Sequence, residues 1–102
     1  MAGFSELQGR TAVVTGAASG IGLAITEAFV AAGMRVLMTD LDEVLLASHA
    51  ERLVGGGADV RALAVDVTDP DAVERAADAA VEQFGKLHVA VNNVGDVART
   101  IF

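Results

Sequence analysis

The stretch Thr15-Gly16-Ala17-Ala18-Ser19-Gly20-Ile21-Gly22 constrains this chain more than any other. It follows the apolar run Ala12-Val13-Val14 and opens a segment with helical spacing, so it reads as a strand, a glycine turn and a helix start. Glycines at 16, 20 and 22 remove Cβ atoms where a backbone must turn sharply, approach a phosphate and let a helix pack against a strand. The helix beginning there aims its unpaired N–H groups and positive dipole end at whatever lies in the turn. Glycine triplets also make ordinary turns, so the surroundings decide.

The surroundings alternate strand and helix to the end of the chain. Arg10 to Thr15 forms the first strand, continuously apolar as in a parallel strand covered on both faces. The first helix buries Ile21, Ala24, Ile25, Ala28, Phe29 and Ala32 and stops at Gly33. Arg35 to Asp40 is a second strand, and Asp42 caps a second helix with Leu45, Leu46, Ala50 and Leu53 on one face. Gly55-Gly56-Gly57 ends that helix; following a helix rather than a strand, it reads as a connection without ligand. Val60 to Val65 makes a third strand, Asp69 caps and Pro70 opens a third helix with Val73, Ala77, Ala80, Val81 and Phe84 inward, and Gly85 ends it. Leu87 to Val91 is a fourth strand, running into Asn92-Asn93-Val94-Gly95.

The predicted fold is therefore α/β, a Rossmann-type doubly wound parallel sheet, incomplete, with four strands in the order 3-2-1-4 and three helices. It divides into an N-terminal arm (1–9), a dinucleotide-binding region (10–95) and a truncated connection (96–102). With 102 residues the chain makes one small domain, and a hydrophobic share of 53% suits a sheet buried on both sides.

Net charge is −7 with no cluster of Lys or Arg, which argues against nucleic acid and anionic membranes as partners. The absence of cysteine excludes disulfides and thiolate metal sites. The first ten residues do not read as a signal peptide, and no apolar run reaches the roughly 20 residues of a membrane span. The cytoplasm is the expected location. His49 on a helix and His88 in a strand lack partners at metal spacing, so both read as structural or exposed, and no metal site is expected.

Asp40 supports the glycine turn most. It ends the second strand about 20 residues beyond the turn, where a carboxylate can accept hydrogen bonds from the adenosine ribose hydroxyls. The same charge repels a 2′-phosphate, and Ser19 brings no base to the turn, so NAD is preferred over NADP. Arg35, at the start of its strand, is expected at the opposite end of the sheet.

Together these residues resemble the short-chain dehydrogenases/reductases from Arg10 to Gly95. Thr15, Gly16, Gly20, Ile21 and Gly22 match the family's Thr-Gly-x-x-x-Gly-x-Gly, a more specific spacing than the general dinucleotide fingerprint. Asp66-Val67 resembles the family's adenine contact, and Asn92-Asn93-Val94-Gly95 its Asn-Asn-Ala-Gly, with Val94 for the usual alanine. His88 stands where the family commonly has an acid. The resemblance implies cofactor contacts at Gly16, Ser19, Gly20, Ile21, Gly22, Asp40, Leu41, Asp66, Val67, Asn92, Val94 and Gly95. From the residues alone, Asp66 reads equally as a helix-start acid, and Asn92 as a side chain tying loops together.

The family's chemistry rests on a downstream Ser and a Tyr-x-x-x-Lys pair, and these 102 residues contain no tyrosine. No catalytic residue is therefore expected here. The chain reads as the cofactor half of an NAD-dependent oxidoreductase acting on an alcohol or ketone, inactive by itself. The alternatives are a non-catalytic dinucleotide-binding module, a truncated product, and, more weakly, a methyltransferase. A fourth strand left as an open apolar edge would favour association, so a homo-oligomer is expected.

Overall fold

The computed structural model describes residues 6–66, 68, 69, 71–94 and 97–101, with Val94 and the final strand described by backbone alone. Five strands form one sheet: β1 (Thr11–Val14), β2 (Arg35–Asp40), β3 (Val60–Ala64), β4 (Val89–Val94) and β5 (Val97–Ile101), in the order β3-β2-β1-β4-β5. Three helices lie among the described residues: α1 (Gly20–Ala31), α2 (Glu43–Gly55) and α3 (Ala72–Phe84). The first four strands are parallel, as expected from helical crossovers, with Val13 opposite both Leu37 and Ala90.

Both faces of the sheet are covered, which is why its strands are apolar without alternation. Ala12, Val14, Val36 and Met38 meet Ile25 and Phe29 of α1 and Leu46, Ala50 and Leu53 of α2. Val13 and Leu37 point the other way, onto Ala76 and Ala80 of α3. Period-two direction along each strand thus assigns α1 and α2 to one layer and α3 to the other.

The helix faces differ from those expected. In α1 the fully buried positions are Gly22 and Thr26, while Ala24 and Ala28 are exposed and Ile21 is 50% exposed. Close approach puts the smallest residue at the contact, and the Thr26 hydroxyl enters the interior by donating to the Gly22 carbonyl (2.9 Å). In α3 the buried row is Ala72, Ala76 and Ala80, and Val81 is 47% exposed. Alanines let that helix sit low on Val13 and Leu37, and of the expected stripe Ala80 is in the buried row while Val81 is not. In α2, Leu46 and Ala50 are buried as expected, but Leu45 turns partly outward.

Asp42 caps α2, accepting from the Leu45 amide at 3.1 Å. The cap of α3 is Asp71 rather than Asp69. Asp69 instead turns the chain before the helix: its carboxylate accepts from the Asp71 amide (3.0 Å) and from Arg75 (2.7 Å). Pro70 lies outside the described residues, as do residues 1–5, Val67, Gly95, Asp96 and Phe102. In the expected N-terminal arm, residues 6–9 are tied down: Leu7 packs on the core and the Gly9 amide donates to the Gly33 carbonyl (2.9 Å).

Two differences concern the end of the chain. The fourth strand starts later than expected and includes Asn92 and Asn93, while Leu87 and His88 precede it. Residues 97–101, expected to be an irregular connection, form β5 antiparallel to β4, with Ala90 opposite Ile101 and Val94 opposite Val97. Five residues are too few to show a period, and the pairing partner lies immediately upstream, so the local sequence carried little signal. The expected open edge on β4 is consequently occupied, and the free edge passes to β5.

Candidate functional site

The site lies at the carboxyl ends of β1, β2, β3 and β4, where parallel α/β sheets bind ligands. Thr15, buried at the end of β1, fixes the loop to β4. Its amide donates to the Val91 carbonyl (2.9 Å), its hydroxyl accepts from the Asn93 amide (2.8 Å), and the same hydroxyl donates to Asn92 Oδ1 (3.0 Å). The Asn93 side chain, itself buried, lies against the glycines, its Nδ2 at 3.4 Å from the Gly16 carbonyl. A Cβ on Gly16 would stand 2.9 Å from Asn93, and one on Gly22 would run into the Gly16 carbonyl. The glycines at 16 and 22 thus permit a close approach of helix, loop and strand. Gly20 serves differently: its surroundings are open and its φ is +58°, which an L side chain adopts only with strain.

The loop then presents its amides in two groups. Ala17 donates to the Thr39 carbonyl and Ala18 to Asp40 Oδ2, each at 3.0 Å, so both are spent on the end of β2. The amides of Ser19, Gly20, Ile21 and Gly22 have no partner among the described residues. Ser19 is the N-cap of α1 in extended conformation, its hydroxyl makes no capping bond, and the first turn carries no acid. Successive unpaired N–H groups at a helix N-terminus suit an anionic group.

Asp40, half-buried, faces this turn. Its Oδ1 accepts from the Asp42 amide at 2.9 Å, and a carboxylate still has acceptor capacity beyond two such bonds. The Asp40 carbonyl receives the Val65 amide (3.0 Å), which brings the exit of β3, and with it Asp66, to the same edge. Asp66 Oδ1 accepts from the Thr68 hydroxyl (2.7 Å) and amide (2.9 Å), and these bonds hold its carboxyl below the ordinary range, the hydroxyl contributing most. Leu41, 70% exposed, and Ile21 add apolar surface to the edge.

The structure therefore gathers Gly16, Ser19, Gly20, Ile21, Gly22, Asp40, Leu41, Asp66 and Asn92 at one edge of the sheet. Val94 ends β4 there, and Val67 and Gly95 lie outside the described residues. Asn92 shows the loop-tying role that its sequence left open. Sequence reasoning passed over Thr15 and Asn93 as site residues, although both lie within quoted motifs; their roles depend on contacts across more than 75 residues. Asn93 Oδ1 is buried with no partner among the described residues.

The opposite end is structural. Arg35 opens β2 there, far along the strand from Asp40, and donates to the Phe84 carbonyl (3.2 Å). His88 Nδ1 accepts from the Thr11 amide at 3.0 Å, extending the β1–β4 ladder by one side-chain bond. His49 meets Arg52 (3.2 Å), and no metal-binding cluster occurs among the described residues.

A doubly wound parallel sheet whose first crossover helix starts at a glycine turn beside an acidic strand end is, as a class, a Rossmann-type nucleotide-binding unit. Within that class, residues 10–101 match the family described as short chain dehydrogenase, and the chain belongs to that family. It is 52% identical over 90 residues to 1-deoxy-11-beta-hydroxypentalenate dehydrogenase of Streptomyces exfoliatus, covering 88% of this chain and 33% of the relative. It is 44% identical over 89 residues to 3beta-hydroxysteroid dehydrogenase 2 of Eggerthella lenta, covering 87% of this chain and 34% of that protein. A crystal structure of a short chain dehydrogenase/reductase from Burkholderia phymatum in complex with NAD superposes with a TM-score of 0.80 at 41% identity, covering 83% of this chain and 30% of that one. The chain thus spans about a third of the length of the curated relatives it matches.

Proposed function

We propose that the chain is the NAD-binding part of an oxidoreductase that moves hydride between a nicotinamide cofactor and an alcohol or ketone. The observation that carries this reading is the row of unpartnered amides from Ser19 to Gly22, set beside the Asp40 carboxylate. The amides would hold the pyrophosphate, Asp40 the adenosine ribose hydroxyls, and Asp66 with Leu41 the adenine. The cradle fits such a group, since a Cβ at Gly16 or Gly22 would meet Asn93 or the Gly16 carbonyl, so only glycine allows this close backbone approach, and the amides from Ser19 to Gly22 have no partner among the described residues. When bound, the nicotinamide ring accepts or supplies the hydride.

Charge supports NAD over NADP. Asp40 would lie against a 2′-phosphate, and Arg35, the base on the same strand, stands at its other end. Relatives named as dehydrogenases support the oxidoreductase reading, and a neighbour solved with NAD supports a nicotinamide dinucleotide as cofactor. These 102 residues hold no tyrosine to transfer the proton, and alone they are read as inactive. Asn92, Val94 and Gly95 would border the cofactor, with Val67 beside the adenine. The reading includes a small-molecule substrate, a homo-oligomer and a cytoplasmic location, and no nucleic acid or membrane partner; no helix among the described residues is long and apolar enough to cross a membrane.

Calorimetric titration tests it. NAD should bind saturably and at least about tenfold more tightly than NADP, the ratio expected from one unfavourable charge contact. Absence of binding to either dinucleotide, or tighter binding of NADP, would contradict the reading.

A further inference from the structure

From the bonds that Asp40 already makes, we infer that it is a positioning residue for the phosphate turn as well as a candidate ribose acceptor. Its Oδ2 holds the Ala18 amide across 22 residues of sequence, and its Oδ1 holds the Asp42 amide at the start of α2. Ala18 is 1% exposed and Ala17 fully buried, and the Ala17 amide is bonded to the Thr39 carbonyl next to Asp40. Two consecutive loop amides are therefore fastened to two consecutive residues of β2. The next four amides, Ser19 to Gly22, have no partner among the described residues.

The carboxylate is the half of this clasp that substitution can remove, because Thr39 contributes a backbone carbonyl. Without the carboxylate, the Ala18 amide is buried and unpaired, and the loop must move to satisfy it. Such movement misaligns the adjacent Ser19–Gly22 row. Asp40 also retains capacity for ribose hydroxyls while it holds both amides, so the two roles coexist in one side chain. The consequence is specific. Replacing Asp40 weakens phosphate binding whatever the sugar carries, so removing the charge does not by itself turn the site into an NADP site of the original strength.

This inference rests on the dinucleotide reading, and its test separates the two. In protein produced from its own gene, the affinities of ADP and of an ADP analogue lacking both ribose hydroxyls are compared for the natural protein, Asp40→Ala and Asp40→Asn. Amide hydrogen exchange is measured without ligand on the same proteins. Asp40→Ala should weaken the hydroxyl-free analogue about fivefold or more and speed exchange at Ala18 about tenfold, the loss expected for a charge-assisted bond. Asp40→Asn, which keeps one acceptor and introduces a donor, should fall between. Protection at Val36 and Leu37 must stay unchanged, which separates a loosened loop from a misfolded sheet.

Unchanged affinity for the hydroxyl-free analogue, with or without faster exchange at Ala18, overturns the inference and leaves Asp40 acting through the ribose alone. If the natural protein binds neither nucleotide, the dinucleotide reading fails. Exchange at Ala18 then decides the clasp by itself: acceleration in Asp40→Ala upholds it, and no change overturns it.

Discussion

At the scale of single residues, the glycine turn contains two different constraints that substitutions can separate. Gly22→Ala drives a methyl group into the Gly16 carbonyl, a clash with backbone that no rotamer relieves. It should cost about 3 kcal/mol or more and abolish nucleotide binding. Gly20→Ala meets open space and pays only for its positive φ, about 1–2 kcal/mol. Denaturant unfolding of the two variants measures the difference, and equal costs would contradict the close-approach argument. Thr15→Val keeps the shape of the side chain but leaves the buried Asn93 amide without its acceptor. A loss of about 1–3 kcal/mol is expected in the same measurement. Asp66 provides a pH test. Its folded pKa is lowered by Thr68, so its contribution to stability is present above the unfolded-state pKa and is lost as pH falls through the lower, folded-state value. Thr68→Val removes the hydroxyl, the larger of the two donors, and should raise the Asp66 pKa toward its ordinary value in an NMR titration. The kind of residue at each of these positions was legible in the sequence, because glycine and acid spacings are local. The partners were not: Asn93 meets Gly16 and Thr15 only after three crossovers have been folded.

At the scale of elements, the order 3-2-1-4 followed from β-α alternation and the handedness of crossovers, and the first four strands of the sheet take it. The faces of the helices did not follow. The stripe read from spacing, Val73, Ala77, Ala80, Val81 and Phe84, had Ala80 right but placed Val81 inside and left Ala76 out, whereas α3 rests on Ala72, Ala76 and Ala80. Where a helix sits low on a sheet, small residues make the contact and larger ones splay outward, so apolar size is a poor guide to direction. This predicts opposite responses to substitution. Ala76→Leu overfills a position with no exposure and should lower stability by about 1–3 kcal/mol. Val81→Lys should change it by no more than about 0.5 kcal/mol. Thermal unfolding of both variants checks the assignment of the face, and the reverse ranking would restore the stripe read from sequence. The strand β5 was illegible for another reason: its existence depends on β4 offering a free edge, a property of the sheet and not of residues 97–101.

At the scale of the whole molecule, the sheet is covered unevenly. α1, α2 and α3 make their main contacts with β1, β2 and β3, and none is chiefly packed on β4. β5 closes one side of the sheet with an edge that pairs with no further strand among the described residues, and an unpaired strand edge favours association. A protein of only these residues should associate in sedimentation at micromolar concentration, and a monodisperse monomer would contradict that expectation. The central claim concerns the other end of the sheet, where β1, β2 and β3 bring an amide row and two carboxylates together. The most direct measurement is an amide-resolved NMR titration with NAD. Saturable shifts concentrated at Ser19 to Gly22, Asp40, Leu41 and Asp66, much weaker with NADP, are the predicted result. Shifts that do not saturate, or that gather around Thr11, Arg35 and His88 at the opposite end, would contradict it.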